Sequence, residues 1–163
     1  MVRALALSAL AFGVALSASA HAGRAAAAPD PLIARGHYLV AFGVCNDCHT
    51  PGWRDSDGRT PVGKWMTGST LGFRGPWGTV YPANVRLRFQ QVSEEQWLAM
   101  VRTRGGHPPM TWQDLRALRQ SDRRAIYRFI RSLGAAGTAA PDDVPPEREP
   151  TTPYFTVVVP AMK

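Results

Sequence analysis

Cysteine is scarce in this chain: among its 163 residues the only two are Cys45 and Cys48. That excludes the disulfide-dense scaffold by which small secreted domains are held together. Acids are also few, 12 against 19 basic residues, which leaves a formal charge of +7. Charged residues make up 19% and hydrophobic residues 45%, a globular balance that excludes a wholly disordered chain. No internal repeat occurs, and the alternation of strands and helices expected of an α/β domain is missing. The length suits one ordinary domain and leaves little room for a second. Fourteen prolines and fifteen glycines predict long loops and sparse secondary structure.

The one long apolar run lies at the start. Arg3 precedes ALALSALAFGVAL, Ala4 to Leu16, and the small residues SASAHA follow. A charged start, a short apolar centre and an Ala-x-Ala end predict a secretory signal peptide. The run is too short for a bilayer span, which takes about 20 residues. Cleavage after Ala20 or Ala22 is expected; taking Ala22 makes residues 1–22 the signal and the product periplasmic. The rest of the chain has no apolar segment of membrane length.

Asp30-Pro31 predicts the start of a helix, because Asp caps free N–H groups and Pro is tolerated at the first helical position. Ile33, Gly36, His37 and Val40 share one face of it at helical spacing. The glycine there would let another helix approach closely, and Gly43 stops the helix. Residues 50–84 hold four prolines and seven glycines without a regular period and predict one long folded loop. So long a loop within a compact domain points to a function, such as packing on a large prosthetic group. Ser93-Glu94-Glu95-Gln96 is a capping box opening a second helix with the apolar stripe Trp97, Met100 and Val101. After the loop HPPMTW, Ser121-Asp122 is expected to cap a last helix buried through Ile126, Phe129, Ile130 and Leu133, with Gly134 ending it. Residues 135–163 form a Pro-rich extension ending in YFTVVV. Tyr154 to Val159 is expected to lie extended on the domain, because an apolar run is costly to expose.

The motif that carries chemistry is Cys45-Asn46-Asp47-Cys48-His49. A bare CxxC is ambiguous between a redox dithiol and half a zinc site. Zinc needs further ligands, and with no other cysteine only His37 and His107 remain. A thioredoxin-like dithiol wants the α/β pattern that is missing. CxxCH, by contrast, is the attachment signature of c-type haem. Two thiols add to the vinyl groups, and the next residue brings its imidazole to the iron. One motif implies one covalently attached haem c per chain, and an export signal agrees with it.

With these stretches in view, the chain resembles the class I cytochromes c, and more narrowly the haem domains in cytochrome subunits of periplasmic dehydrogenase complexes. The resemblance rests on RGHYLV, CNDCHT, GPWGTVYPANV, EEQWLAMVRT, PPMTW and SDRRAIYRFIRSLG, in that order over residues 33–134. It implies a haem domain over residues 23–134, with His49 and a methionine on the iron, which raises the reduction potential and blocks small molecules. The candidates are Met66, Met100, Met110 and Met162. Met100 lies on a helical core stripe and Met162 in the tail. Met66 is in a loop and stays open. Met110 sits in the Pro-stiffened loop where members of that family carry their axial Met, and it is the expected ligand; His107 is the rival. The family also suggests that the carbonyl of Pro61, twelve residues after His49, could accept the imidazole Nδ1–H, although Thr60 stands where Gly is usual. Arg74, Trp77, Tyr81 and Asn84 are candidate donors to the haem propionates.

Arg102, Arg104, Arg116, Arg119, Arg123, Arg124, Arg128 and Arg131 crowd the last two helices, opposed within that interval by Asp114 and Asp122. They make either a solvated face or a docking surface for an acidic redox partner, a dehydrogenase donor or an oxidase or cytochrome acceptor. Nucleic acid does not suit the compartment. The expected fold is all-α, a cytochrome c fold of a few helices around one haem, with the first and last helices packed together. The expected function is one-electron transfer without substrate chemistry. A haem enzyme or a redox or gas sensor is the alternative, and either would need an open sixth position on the iron.

Overall fold

The computed structural model describes residues 30–106, 108–110 and 112–158. The expected signal peptide, His107, Val159 and Met162 lie outside them. Six α-helices, one short 3-10 helix (Val62–Lys64) and three short strands occur among the described residues: α1 (Pro31–Phe42), α2 (Cys45–His49), β1 (Gly72–Gly75), β2 (Gly78–Val80), α3 (Val85–Gln91), α4 (Glu94–Thr103), α5 (Trp112–Ala117), α6 (Gln120–Ser132) and β3 (Tyr154–Thr156). The fold is therefore helical with a small sheet, and the all-α expectation needs that correction. None of the described helices is long and apolar enough to cross a membrane.

Helix α1 begins where its sequence dictates. The Asp30 carboxylate accepts the Leu32 N–H at 2.8 Å, Pro31 occupies the first turn, and the Gly43 N–H closes on the Leu39 carbonyl at 2.8 Å. Its buried face is Gly36, Leu39 and Val40. His37, expected inside, is exposed at one edge while its ring stacks on Trp65 at 5.0 Å. Gly36 lies against α6: a Cβ there would overlap the Ala125 carbonyl oxygen and come within 2.6 Å of Phe129 Cβ. The absence of a side chain sets how near the two helices come.

Helix α6 buries Ala125, Ile126, Tyr127, Phe129 and Ile130. It starts one residue before Ser121, and Arg119 at its cap position makes no side-chain cap bond. Asp122 does not cap it either; it binds Arg35 of α1 at 2.9 Å, cross-linking the two helices. Helix α4 has the expected capping box, Ser93 with Gln96. Its buried residues are Trp97, Leu98 and Val101, with Met100 only half-buried because Leu98 takes the inward place. Phe89 of α3 completes the core between Trp97 and Tyr127, each ring 5.0 Å away. Arg86, nearly fully buried, donates to the carbonyls of Gly134, Gly63 and Leu133 and so ties α3 to the end of α6.

The region read as one loop holds an antiparallel hairpin, β1 with β2, registered Phe73 to Val80 and Gly75 to Gly78. Strand β3 joins β1 in parallel, Phe73 beside Phe155, giving the order β2-β1-β3. The extension is thus held on the domain over residues 154–156, but through its backbone. Tyr154 is 36% exposed, Phe155 51% and Val158 79%, so burial of the apolar run is not what holds it.

Candidate cofactor site

Helix α2 is the motif CNDCH and nothing else. Gly43 ends α1, and Val44 turns the chain with φ 52°, a left-handed conformation that costs a β-branched residue about 1–2 kcal/mol. That turn delivers Cys45 and Cys48 three residues apart on one helical face. Both are free thiols and half-buried. Burial pushes Cys45 up to about 11 and Cys48 above its ordinary value, Arg54 opposing the second rise in part. A redox-active or nucleophilic cysteine is shifted the other way. Among the described residues, no group of three or more His, Cys, Asp and Glu stands together to hold a metal ion.

His49 is fixed by its neighbours. Its Nδ1 lies 2.8 Å from the Ala83 carbonyl oxygen, and a carbonyl only accepts, so Nδ1 carries the proton. Burial holds the imidazole below its usual pKa, against the opposing effect of that hydrogen bond. The neutral ring therefore keeps a lone pair on Nε2, the state in which histidine binds a metal. Ala83, rather than Pro61, is the acceptor. The Pro61 carbonyl is used by the Lys64 N–H at 2.8 Å, in a turn that a sequence-based comparison of spacing does not reveal.

Two close approaches hold this arrangement. The His49 carbonyl accepts the Gly68 N–H at 2.8 Å. Gly68 has φ 82°, and a Cβ there would lie 2.7 Å from the Asn84 backbone nitrogen, so glycine is required on both counts. Buried Thr50, next to His49, donates to Asn46 Oδ1 at 2.6 Å and accepts the Met66 N–H at 2.8 Å. Asn46 Nδ2 meets no acceptor among the described residues, and nothing in the structure explains it.

The methionines separate by environment. Met66 has φ 60° and a core side chain, 3% exposed. Met110, on the loop between α4 and α5, is 39% exposed.

Three of the four candidate propionate donors are engaged with the extension. Arg74 donates to the Pro146 and Arg148 carbonyls at 3.1 and 3.0 Å and pairs with Glu149 at 3.2 Å. The Tyr81 hydroxyl meets Thr152 Oγ1 at 2.7 Å. Asn84 caps α3 and donates to the Ala136 and Thr138 carbonyls at 2.8 and 3.0 Å. Trp77 is half-buried, its ring lying over Gly75.

The arginine-rich helices carry more compensating charge than their own interval suggests. Arg124 and Arg128 pair with Glu94, and Arg128 also with Asp30. Arg116 donates to the Arg104 carbonyl and Arg131 to Phe89 and Gln90.

Ala83 is the site residue that sequence reasoning missed. A backbone carbonyl has no side-chain signature, although Asn84 as the cap of a following helix would have pointed to the bend. The chain matches no protein-family model, no characterised protein and no solved structure.

Proposed function

We propose that this chain is a periplasmic monohaem c-type cytochrome, a one-electron carrier with His49 and Met110 on the iron. One observation carries the reading: two cysteines free of any disulfide on one helical turn precede a histidine whose Nδ1–H is held by Ala83 so that Nε2 is free. The donor set fits haem c. It does not fit a low-pKa dithiol, and among the described residues no three His, Cys, Asp or Glu stand together as a zinc site needs. Each S–H would add across one vinyl group, consuming both thiols without an oxidant. When bound, the haem supplies the Fe(II)/Fe(III) couple.

The rest is the work of the chain. Ala83 fixes the tautomer and ring plane of His49 and increases its basicity toward a metal. The Thr50 and Gly68 contacts hold that histidine against the Met66–Asn84 segment, limiting reorganisation when charge changes. Met110 offers the softer thioether from an exposed loop. The partners would be a dehydrogenase donor and an oxidase or cytochrome acceptor, met through faces that include the unneutralised part of the arginine surface.

Optical spectroscopy of the exported protein tests the reading. A low-spin spectrum with a sulfur-to-iron charge-transfer band is expected. A high-spin spectrum with ready carbon monoxide binding would instead mean an open iron, and hence a haem enzyme or sensor.

A further inference from the structure

Arg74, Tyr81 and Asn84, three of the candidate cofactor donors, fasten the C-terminal extension, and the extension places one aromatic side chain beside the motif. Residues 135–158 cross the hairpin as a strap. Val144 exchanges two backbone hydrogen bonds with Thr79, at 2.7 and 2.8 Å. Gly78 permits this contact, since a Cβ there would overlap the Val144 carbonyl. Arg74 grips the carbonyls of Pro146 and Arg148, and Tyr81 meets Thr152. The Gly72 N–H reaches the Pro153 carbonyl at 2.9 Å and the Val157 N–H the Arg74 carbonyl at 2.6 Å. The strand between them is fixed in register, so Phe155 stands beside Phe73, ring centroids 5.6 Å apart.

Those two rings, with Cys48, Trp53 and Leu71, line a cavity of about 130 Å³. Asp47 and Arg54, ion-paired at 3.2 Å, form its polar wall together with Asp55, Thr50 and Ser69. On its apolar side, bounded by Trp53, Leu71, Phe73 and Phe155, a space of this size takes a group of about benzene's dimensions, such as a single edge of a macrocycle. Phe155 is 51% exposed, although it lies on a strand locked by backbone bonds at both ends. A half-exposed aromatic on a rigid support, facing a cavity lined by an attachment cysteine, is placed to cover something.

We infer that Phe155 is a cofactor-contacting residue: the strap carries it onto the edge of the covalently attached group beside Cys48 and shields that edge from water. The inference rests on the haem reading above. Shielding favours the less charged, reduced iron, so the strap sets the potential upward and leaves electron exchange to another edge.

The experiment uses the full exported holoprotein in its reduced state. Proton NMR should show nuclear Overhauser contacts between the Phe155 ring and protons of the group near the Cys48 thioether. Redox titration should give a lower midpoint potential for Phe155→Ala, a value restored toward the parent by Phe155→Leu, and no change for Val158→Ala, which alters an exposed strap residue. Absence of the contacts, or an unchanged potential in Phe155→Ala, overturns the inference. The contacts are measured on the unmodified chain, so instability of a variant does not protect it. A preparation that retains no haem through acid–acetone extraction defeats the functional reading itself; haem retained without the contacts defeats only the role of Phe155.

Discussion

Gly36→Ala puts two opposing effects of known sign on one atom. Within a helix, Ala is more favourable than Gly by about 1 kcal/mol, so propensity alone predicts stabilisation. Packing predicts the reverse. The added Cβ would overlap the Ala125 carbonyl oxygen and lie 2.6 Å from both the Ala125 carbonyl carbon and Phe129 Cβ. Two of these atoms are backbone, so no side chain can rotate away, and α1 and α6 must part by roughly 1 Å. A gap of that size forfeits a quarter to a half of the dispersion attraction between facing atoms. Here it opens beside Val40, Ile126 and Ile130, which are at most 5% exposed. Overpacking costs about 1–3 kcal/mol where side chains can adjust, and more where backbone must move. The net expectation is a loss of about 2 kcal/mol, a fall in Tm of about 4–8 °C for a chain of this size. Urea unfolding at unchanged m-value measures it, with Ala34→Gly on the exposed face of α1 as the control. That control changes propensity alone and should cost about 1 kcal/mol. A Gly36→Ala variant as stable as its parent, or more so, would refute the close-approach argument.

Arg86→Met strands three carbonyls and should cost about 2–4 kcal/mol in urea unfolding, with Arg86→Lys recovering part of it, because one ammonium cannot span all three. In the haem-free protein, the folded state holds the Cys45 proton to about pH 11 while the unfolded chain releases it near 9.0, so stability should fall between those values; thioether attachment at both cysteines should abolish that fall and Cys45→Ala should reduce it, the raised Cys48 keeping a part, and its persistence in holoprotein would mean a free thiol. Met110→Ala should keep the haem attached, admit carbon monoxide and lower the potential; an unchanged low-spin spectrum and potential would move the assignment to Met66 or His107.

The sequence was most legible where one residue type decides a local geometry. Asp30-Pro31 began α1 and Ser93 with Gln96 capped α4, each through a constraint acting over four residues or fewer, and Gly36 marked the helix contact because it stands alone without a side chain on a buried face. Helix α2 coincides with the motif. Legibility failed where elements are short or tertiary contacts decide. Strands β1 and β2 have four and three residues, too few for alternation to appear among glycines, and so the sheet was missed. Helices α3 and α5 are of seven and six residues and went unread for the same reason. The Ser121-Asp122 cap failed because Asp122 is drawn across to Arg35. The partners that Arg74, Tyr81 and Asn84 meet, carbonyls and a hydroxyl on a strap some 50 to 75 residues further on, have no signature in the local sequence.

The central claim is covalent attachment at Cys45 and Cys48, and intact-mass spectrometry of the exported protein after acid–acetone extraction tests it most directly. The predicted result is one haem retained per chain, confined to the peptide containing CNDCH and lost from the Cys45→Ser, Cys48→Ser double variant. A chain that leaves extraction at its bare polypeptide mass, after production in cells that attach haem to other CxxCH proteins, would contradict the account.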